Sequence, residues 1–182
     1  MNSEIKIDVR GRQDPLCECY RVKPREAAIT DQAKTSGGLD TDPFHGTVLI
    51  GGHKHGASWQ FGIHRAVGGY HDRANPGDML CAALAACLDS TLRIIADRLG
   101  IVLTLLEVEV LADVDVRGTL LVDRKVPVGF QRLRCLVNIQ AVEETAPRLL
   151  AKLMAAAEHS CVNLQTLRAG VSVETTLIDQ AA

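Results

Sequence analysis

The sequence has few aromatic side chains and no marked excess of charge of either sign. Of 182 residues, one is Trp, two are Tyr and three are Phe, which argues against the stacking surfaces that hold single-stranded nucleic acid. The formal net charge is -2, so neither nucleic acid nor an anionic membrane would attract the chain electrostatically. A small polar or apolar molecule therefore suits this chain better as a partner.

Residues 1–30 mix charges and prolines and contain no uninterrupted apolar stretch, so neither a secretory signal nor a membrane anchor is predicted there. We therefore expect a cytoplasmic location. The sequence has six cysteines, at positions 17, 19, 81, 87, 135 and 161. In a reducing compartment, free, metal-binding or catalytic thiols are expected more often than a disulfide framework.

The hydrophobic pattern divides the chain into an arm and one domain. Residues 1–44 show little periodicity and predict an irregular N-terminal arm, whereas residues 45–182 contain enough apolar material for one compact domain. Strand-like runs at 45–50 and 57–64 flank a glycine-rich turn, which predicts a β-hairpin.

A long helix is the clearest predicted element. Asn75 and Pro76 are a typical helix start, and Gly100 is a typical stop, so the helix is predicted over Asp78 to Leu99. Its first half, Met79 to Leu88, is apolar on every face, which predicts that it runs through the middle of a core.

Further elements complete a mixed architecture. Two period-two runs, at 107–116 and 132–139, predict strands that pair in antiparallel fashion. Pro147 opens a predicted helix, Ser160 is the predicted cap of a short helix from Cys161 to Arg168, and residues 171–177 predict a closing strand. The predicted fold class is α+β.

Cys87 lies within the apolar part of the long helix, where a cysteine is either a small inert core residue or a reactive thiol. Ser90 and Thr91 follow at helical spacing and make its face partly polar, so that a hydroxyl there could hydrogen-bond a thiolate. Both interpretations remain open from the residues alone.

Cys161 lies at the predicted start of a helix. Unpaired backbone N–H groups and the positive end of the helix dipole favour a thiolate there, so a lowered pKa is expected, although an incidental cysteine at a capping position is an equal alternative. A disulfide with Cys87 would need Cα atoms roughly 4.4 to 6.8 Å apart, which the spacing in sequence cannot establish.

Two segments resemble the OsmC/Ohr family of two-cysteine proteins. The segment from Asn75 to Cys87, Asn-Pro-Gly-Asp-Met-Leu-Cys-Ala-Ala-Leu-Ala-Ala-Cys, is similar to the central-helix motif N-P-x-x-L-x-x-A-x-x-A-C, with Met79 one place before the leucine position. The segment from Ala157 to Cys161, Ala-Glu-His-Ser-Cys, resembles the second-cysteine segment A-x-x-x-C. The resemblance covers roughly residues 45–178.

The resemblance implies an intertwined homodimer, an antiparallel sheet wrapped around a long buried central helix, and thiol-dependent reduction of organic hydroperoxides in oxidative-stress defence. Cys87 would attack the peroxide and Cys161 would resolve the resulting sulfenic acid as a disulfide. A small external dithiol such as a lipoyl group would reduce that disulfide, and no bound cofactor or metal is expected.

The chain departs from the family pattern at the residues that activate the thiolate. Gly77 stands where peroxidase members usually have a glutamate, and Leu39 follows the glycine pair that usually precedes the arginine. Asp78 and Arg65 are the nearest candidates for auxiliary roles, although Asp78 should face away from Cys87 and Arg65 is equally explained as a solvated charge. These departures keep open a noncatalytic dimer that binds a small molecule.

A metal-binding protein is the third hypothesis. Cys17 and Cys19 form a C-x-C pair and His53 and His55 lie in the hairpin turn, but surface thiols and polar turn residues explain both pairs equally well. Cys81 lies about 120° around the helix from Cys87 and is predicted to pack, and Cys135 is predicted to lie in a strand core.

Overall fold

The computed structural model describes residues 8–35, 42–51, 56–142 and 145–178. The chain divides into two compact units. The first contains residues 1–83 and 109–137, and the second contains residues 84–108 and 138–182. Both units contain helix and antiparallel strand, so the predicted α+β class is confirmed. The predicted domain boundary at residues 44 and 45 stays a prediction.

The described part of the N-terminal arm is not irregular. Helix α1 spans Val9–Val22 and is capped by Asp8, whose side chain accepts a hydrogen bond of 2.8 Å from the Gly11 N–H. A short 3₁₀ turn, Pro24–Ala27, and strand β1, Ala33–Thr35, follow. The prediction was wrong because α1 is rich in charged residues, contains Pro15 and buries none of its residues, and these features do not indicate a helix in the sequence.

The predicted hairpin is confirmed. Strand β2, His45–Ile50, pairs in antiparallel fashion with strand β3, Ala57–Gly62, with His45 opposite Gly62 and Ile50 opposite Ala57. Strand β1 adds to the other edge of β2, giving a three-stranded sheet in the order β1-β2-β3. Residues 52–55 of the turn, which include His53 and His55, lie outside the described residues.

A histidine joins the start of this sheet to the segment before the long helix. His45 Nδ1 lies 2.7 Å from Asp42 Oδ2, and its Nε2 lies 3.0 Å from Asp72 Oδ1. A neutral imidazole can donate at one nitrogen only, so the protonated ring alone satisfies both carboxylates. We call Asp42, His45 and Asp72 the His45 network.

Helix α2 spans Pro76–Leu99, close to the predicted bounds, and Gly100 ends it with a φ of 70°. In the single chain its buried residues form one stripe, Leu84, Leu88, Leu92 and Ala96, four residues apart. Leu80 on its first half is 38% exposed. The expectation that the first half is buried on every face is therefore not met within one chain.

Strands β4, Leu103–Asp113, and β5, Arg132–Ala141, form the predicted pair. The Gln131 N–H donates to the Asp113 carbonyl (2.9 Å) at one end, and the Val142 N–H donates to the Val102 carbonyl (3.1 Å) at the other, so the strands are antiparallel. β4 begins before the predicted start at Glu107 because the apolar residues from position 103 onward also fit a strand, and it ends at Asp113 rather than at Val116.

The second unit holds the buried core. Helix α3 spans Pro147–Ser160 and contributes Leu153 and Ala157, while helix α4 spans Val162–Ala169 and contributes Leu164. Among the described residues, the buried apolar side chains lie in this unit: Leu84, Leu88, Leu92, Ala96, Ile101, Leu153, Ala157, Cys161 and Leu164.

The prediction of a closing strand at residues 171–177 is wrong for the single chain. Residues 171–178 form neither helix nor strand, and Val173 and Leu177 are 84% and 86% exposed. A strand requires hydrogen bonds to a neighbour, and none of the described strands pairs with this segment.

Among the described residues, α2 is one helix with the length and apolar composition of a membrane span. The core helix of a soluble protein passes the same test, so this observation is weak evidence for a membrane.

Candidate functional site

Cys87 lies in the middle of α2, beside the buried stripe, and its side chain is partly exposed. The predicted hydroxyl contacts to its sulfur are not formed. Instead, Ser90 Oγ and Thr91 Oγ1 both donate to the Cys87 backbone carbonyl, at 3.0 and 2.7 Å. A helix carbonyl is the nearest acceptor for a hydroxyl three or four residues later, which explains the difference.

Cys161 lies at the break between α3 and α4. Its φ of -73° and ψ of 110° are extended, so it ends one helix and caps the next, and Ser160 is the last residue of α3 rather than the cap. The Cys161 N–H donates to the Ala157 carbonyl at 2.9 Å. Its side chain has no exposed surface.

Burial raises the pKa of the Cys161 thiol, contrary to the lowered pKa expected from a helix N-terminus. The backbone N–H of Leu164 opposes this effect, the neighbouring Cys87 thiol adds to it, and the N–H of Asn163 opposes it more weakly. The prediction was wrong because the loss of water around the sulfur outweighs the attraction of the helix N–H groups. Cys161 is therefore held as a protonated thiol.

The two sulfurs lie in contact. Cys161 Sγ and Cys87 Sγ are 3.4 Å apart, with the Cys161 thiol donating, although 74 residues separate them in sequence. The distance exceeds the 2.03–2.05 Å of a disulfide, so the pair is reduced. Both residues belong to the second unit. Because the thiols already touch, oxidation of one places it within reach of the other.

Asp78 has a structural role at the helix start. Asn75 Oδ1 accepts from the N–H groups of Gly77 (2.8 Å) and Asp78 (3.2 Å), while Asp78 Oδ2 accepts from the Asn75 N–H at 2.9 Å and from its Nδ2 at 2.7 Å. This reciprocal arrangement is a capping box. It gives the Asp78 carboxylate a structural task, and its auxiliary role in chemistry stays untested.

The position of the family's glutamate is closed by packing. A Cβ atom at Gly77 would lie 2.9 Å from Asn75 Oδ1 and 3.0 Å from Phe130 Cζ. Arg65, the candidate arginine, lies in an exposed 3₁₀ turn, Arg65–Val67. Leu39 lies outside the described residues. Arg65 therefore stays an untested candidate.

The other cysteines lie apart from this pair in sequence and in role. Cys17 and Cys19 are on α1, where the Cys19 thiol donates to Glu26 Oε2 at 3.1 Å, a hydrogen bond that, with burial, raises its pKa. Burial, with the charge of Asp78, raises the pKa of Cys81. Cys135 is partly buried in β5. Within the described ranges no three His, Cys, Asp or Glu residues are grouped so as to hold a metal ion.

Sequence reasoning missed the residues that support Cys161. Gln165 Nε2 donates to the Glu158 backbone carbonyl at 2.6 Å, and Arg168 Nη2 pairs with Glu158 Oε2 at 2.9 Å. The sequence predicted a new helix from Cys161 but not the angle between the two helices, and the contact of Gln165 with Glu158 depends on that angle.

Comparison with known protein families identifies a match over most of the chain that carries the two cysteines. The OsmC-like protein family model matches residues 69–176, which include both cysteines. No match was found among the curated proteins.

Solved structures of the family share the fold at low identity. An OsmC-like protein from Mycoplasma pneumoniae is 12% identical with a TM-score of 0.61, covering 78% of this chain and 89% of that chain. An OsmC-like protein of unknown function from Vibrio cholerae is 12% identical (TM-score 0.60, 76% and 94% covered). An organic hydroperoxide resistance protein from Elizabethkingia anophelis is 19% identical (TM-score 0.56, 79% and 91% covered). Since the family model spans more than half of the sequence, this chain belongs to the OsmC-like family.

Proposed function

We propose that this protein is a thiol-dependent peroxidase that reduces organic hydroperoxides through Cys87 and Cys161. The observation that carries the proposal is the 3.4 Å separation of the two sulfurs, because a two-cysteine peroxidase requires a second thiol within reach of the first. Membership of a family whose fold is shared with organic hydroperoxide resistance proteins supports it.

The roles follow from the different environments of the two thiols. Cys87 is partly exposed and so accessible to a peroxide, whereas Cys161 is fully buried and its pKa is raised. A partly exposed thiol suits attack on a substrate, and a buried thiol in contact with it is placed to give up its proton and react with a sulfenic acid formed there. Cys87 is therefore the peroxidatic residue and Cys161 the resolving residue.

The reaction balances in three steps. The Cys87 sulfur attacks one peroxide oxygen and the O–O bond breaks, which yields Cys87 sulfenic acid and an alcohol that takes up the thiol proton. The Cys161 sulfur then attacks the Cys87 sulfur, forming the disulfide and releasing water. An external dithiol, for which a lipoyl group is our candidate, exchanges with the disulfide and leaves as its own cyclic disulfide.

The substrate class is suggested by the apolar neighbours of Cys87. Leu84 and Leu88 on the same helix are 3% and 1% exposed, and the apolar first half of α2 leads up to them. An apolar surrounding favours a fatty or aryl hydroperoxide over hydrogen peroxide, because the organic group is removed from water on binding.

We propose that the protein acts in the cytoplasm as a homodimer.

The test is to react the reduced protein with one equivalent of cumene hydroperoxide and, in parallel, of hydrogen peroxide. Peptide mass spectrometry should find a Cys87–Cys161 disulfide formed rapidly and selectively with the organic peroxide. Cys87→Ser should abolish the reaction, and Cys161→Ser should leave a sulfenic acid at Cys87. If both thiols react no faster than Cys17 and Cys19, the peroxidase proposal is wrong.

A noncatalytic small-molecule-binding protein is the second candidate, and position 77 favours it. A side chain at position 77 would require Asn75 or Phe130 to shift, so the missing carboxylate is not readily accommodated there. Under this alternative the two thiols stay reduced with both peroxides, while an apolar ligand still binds the protein and raises its melting temperature.

A further inference from the structure

The break between α3 and α4 leaves α3 with carbonyl groups that the helix cannot satisfy. The last four carbonyls of any helix lack an intrahelical partner. The Cys161 N–H donates to the Ala157 carbonyl. The extended backbone at Cys161 then interrupts the helical hydrogen-bond pattern, so the Glu158 carbonyl receives no backbone bond from the next residue. The Gln165 side chain supplies that bond, at 2.6 Å, from the second turn of α4.

Gln165 is also linked to Cys161 through the backbone. The Gln165 N–H donates to the Cys161 carbonyl at 2.9 Å, so one residue bonds both to the residue carrying the sulfur and to the helix before it. The angle of the break sets where the Cys161 sulfur points, and that sulfur meets Cys87 at 3.4 Å.

A second link across the break is much weaker. Arg168 pairs with the Glu158 carboxylate at 2.9 Å, but the two side chains are 55% and 45% exposed. Exposed ion pairs of this kind contribute little, because water and salt screen them. The Gln165 bond is part-buried, and its loss would leave a carbonyl without a partner.

We propose that Gln165 is a positioning residue for Cys161: its side-chain hydrogen bond across the α3–α4 break holds the resolving sulfur against Cys87. It therefore governs how readily the disulfide forms, and not the attack of Cys87 on a peroxide. The roles assigned to the two thiols rest on the proposed function, but the geometry that Gln165 controls does not require a peroxide.

The first experiment measures the dithiol–disulfide equilibrium of full-length protein in glutathione redox buffers, by quantifying the Cys87–Cys161 disulfide with mass spectrometry. Gln165→Leu and the isosteric Gln165→Glu both remove the donor, and each should lower the equilibrium constant for disulfide formation about tenfold. Tenfold corresponds to about 30 mV for this two-electron couple. Either variant carries the test if the other does not fold.

Two matched variants separate positioning from general damage. Gln165→Lys keeps a donor that can reach a helix-terminal carbonyl, so its equilibrium constant for disulfide formation should stay within twofold of the wild-type value. Arg168→Ala removes the exposed pair alone and should also stay within twofold. The proposal is overturned if the equilibrium constants of both donor-free variants equal that of the wild type. It is also overturned if Gln165→Lys lowers the equilibrium constant as much as Gln165→Leu and Gln165→Glu do.

The second experiment follows the reaction with cumene hydroperoxide. In the donor-free variants, Cys87 sulfenic acid trapped by dimedone should increase, because condensation with Cys161 slows while its formation is unchanged. If no variant and no wild-type protein reacts with the peroxide, yet the glutathione equilibrium still shifts tenfold, the proposed function has failed and the positioning role of Gln165 stands.

Discussion

Phe130 lies so close to Gly77 that a Cβ atom at position 77 would be 3.0 Å from the ring carbon Cζ. The same Cβ would be 2.9 Å from Asn75 Oδ1, which caps the helix. We expect Gly77→Ala to lower the free energy of unfolding by about 1 kcal/mol through this crowding. Urea unfolding would measure the change.

Phe130→Ala provides the matched background for that measurement. Removing the ring relieves part of the crowding at Gly77. The double variant should therefore lose less free energy of unfolding than the sum of the losses in the two single variants. The opposite result for Gly77→Ala, a gain in stability from the higher helix propensity of alanine, would show that the site tolerates a side chain.

The capping box should contribute to stability and not to thiol chemistry. Asp78→Ala removes the acceptor for the Asn75 N–H, and we expect the free energy of unfolding to fall by about 1 kcal/mol, as for other lost helix caps. Thermal melting would measure this, with Asp97→Ala, an exposed carboxylate near the other end of α2, as the control. A Cys87 that lost its peroxide reactivity in Asp78→Ala would instead support the auxiliary role for Asp78.

The His45 network should make stability depend on pH in two directions. Hydrogen bonding to Asp72, and then to Asp42, raises the pKa of His45 above its ordinary 6.5. The stability that this contributes is fully present below pH 6.5 and is lost as pH rises through the raised pKa. The Phe44 N–H and His45 lower the pKa of Asp42, and His45 lowers that of Asp72, from 3.8. Their contribution is present above pH 3.8 and is lost as pH falls through the lowered values.

The melting temperatures of the wild type and His45→Gln should therefore differ most between pH 3.8 and pH 6.5. They should converge as the pH rises through the raised pKa of His45 and the imidazole loses its proton. An NMR titration of the His45 ring would locate the pKa directly. A His45 ring that titrates below 6.5 would contradict the network, since a neutral ring leaves one carboxylate without a donor.

Thiol alkylation should distinguish the cysteines by environment. Cys161 is fully buried with a raised pKa, so iodoacetamide at pH 8 should modify it at least about tenfold more slowly than the exposed Cys17. Cys19, whose thiol donates to Glu26, should react more slowly than Cys17 on the same helix. Peptide mass spectrometry over time measures all three rates. Equal rates for Cys161 and Cys17 would mean that α4 opens readily.

The exposed C-terminal segment should be covered in an assembled protein. Val173 and Leu177 alternate with polar residues and are more than four-fifths exposed, which is unfavourable for a single soluble chain. Light scattering should give about twice 19.6 kDa for the wild type. Val173→Asp with Leu177→Asp should shift the protein toward a monomer, whereas Glu174→Gln should not. A wild-type monomer would exclude the homodimer.

Local signals predicted some elements well. The Asn75 and Pro76 start and the Gly100 stop gave the bounds of α2, because caps and stops act within a few residues. The two cysteines were identified by motif resemblance and not by spacing, and the contact between them needed the fold.

What the sequence could not provide depends on neighbours distant in the chain. The raised pKa of Cys161 comes from burial by other elements, which outweighs the local effect of the helix terminus. Residues 171–178 have a strand pattern, but a strand forms only where another strand pairs with it. Ser160 predicted the start of a new helix within one residue of the observed break at Cys161, but the bond from Gln165 to Glu158 depends on the angle of that break, which no residue in the motif specifies.

The extended backbone at Cys161 decides which sulfur travels when the disulfide closes. The sulfurs must approach by roughly 1.3 Å to reach bonding distance. Cys87 is fixed within an unbroken 24-residue helix, where a shift of the backbone would strain hydrogen bonds on both sides. Cys161 lies between two helices, so a small change in its torsions turns α4 without unwinding a helical turn, within the limits set by the Gln165 bond to Glu158. Oxidation should therefore turn α4 slightly about Cys161 with the Gln165–Glu158 bond kept, so that the shorter helix reports the redox state by its orientation while α2 stays still.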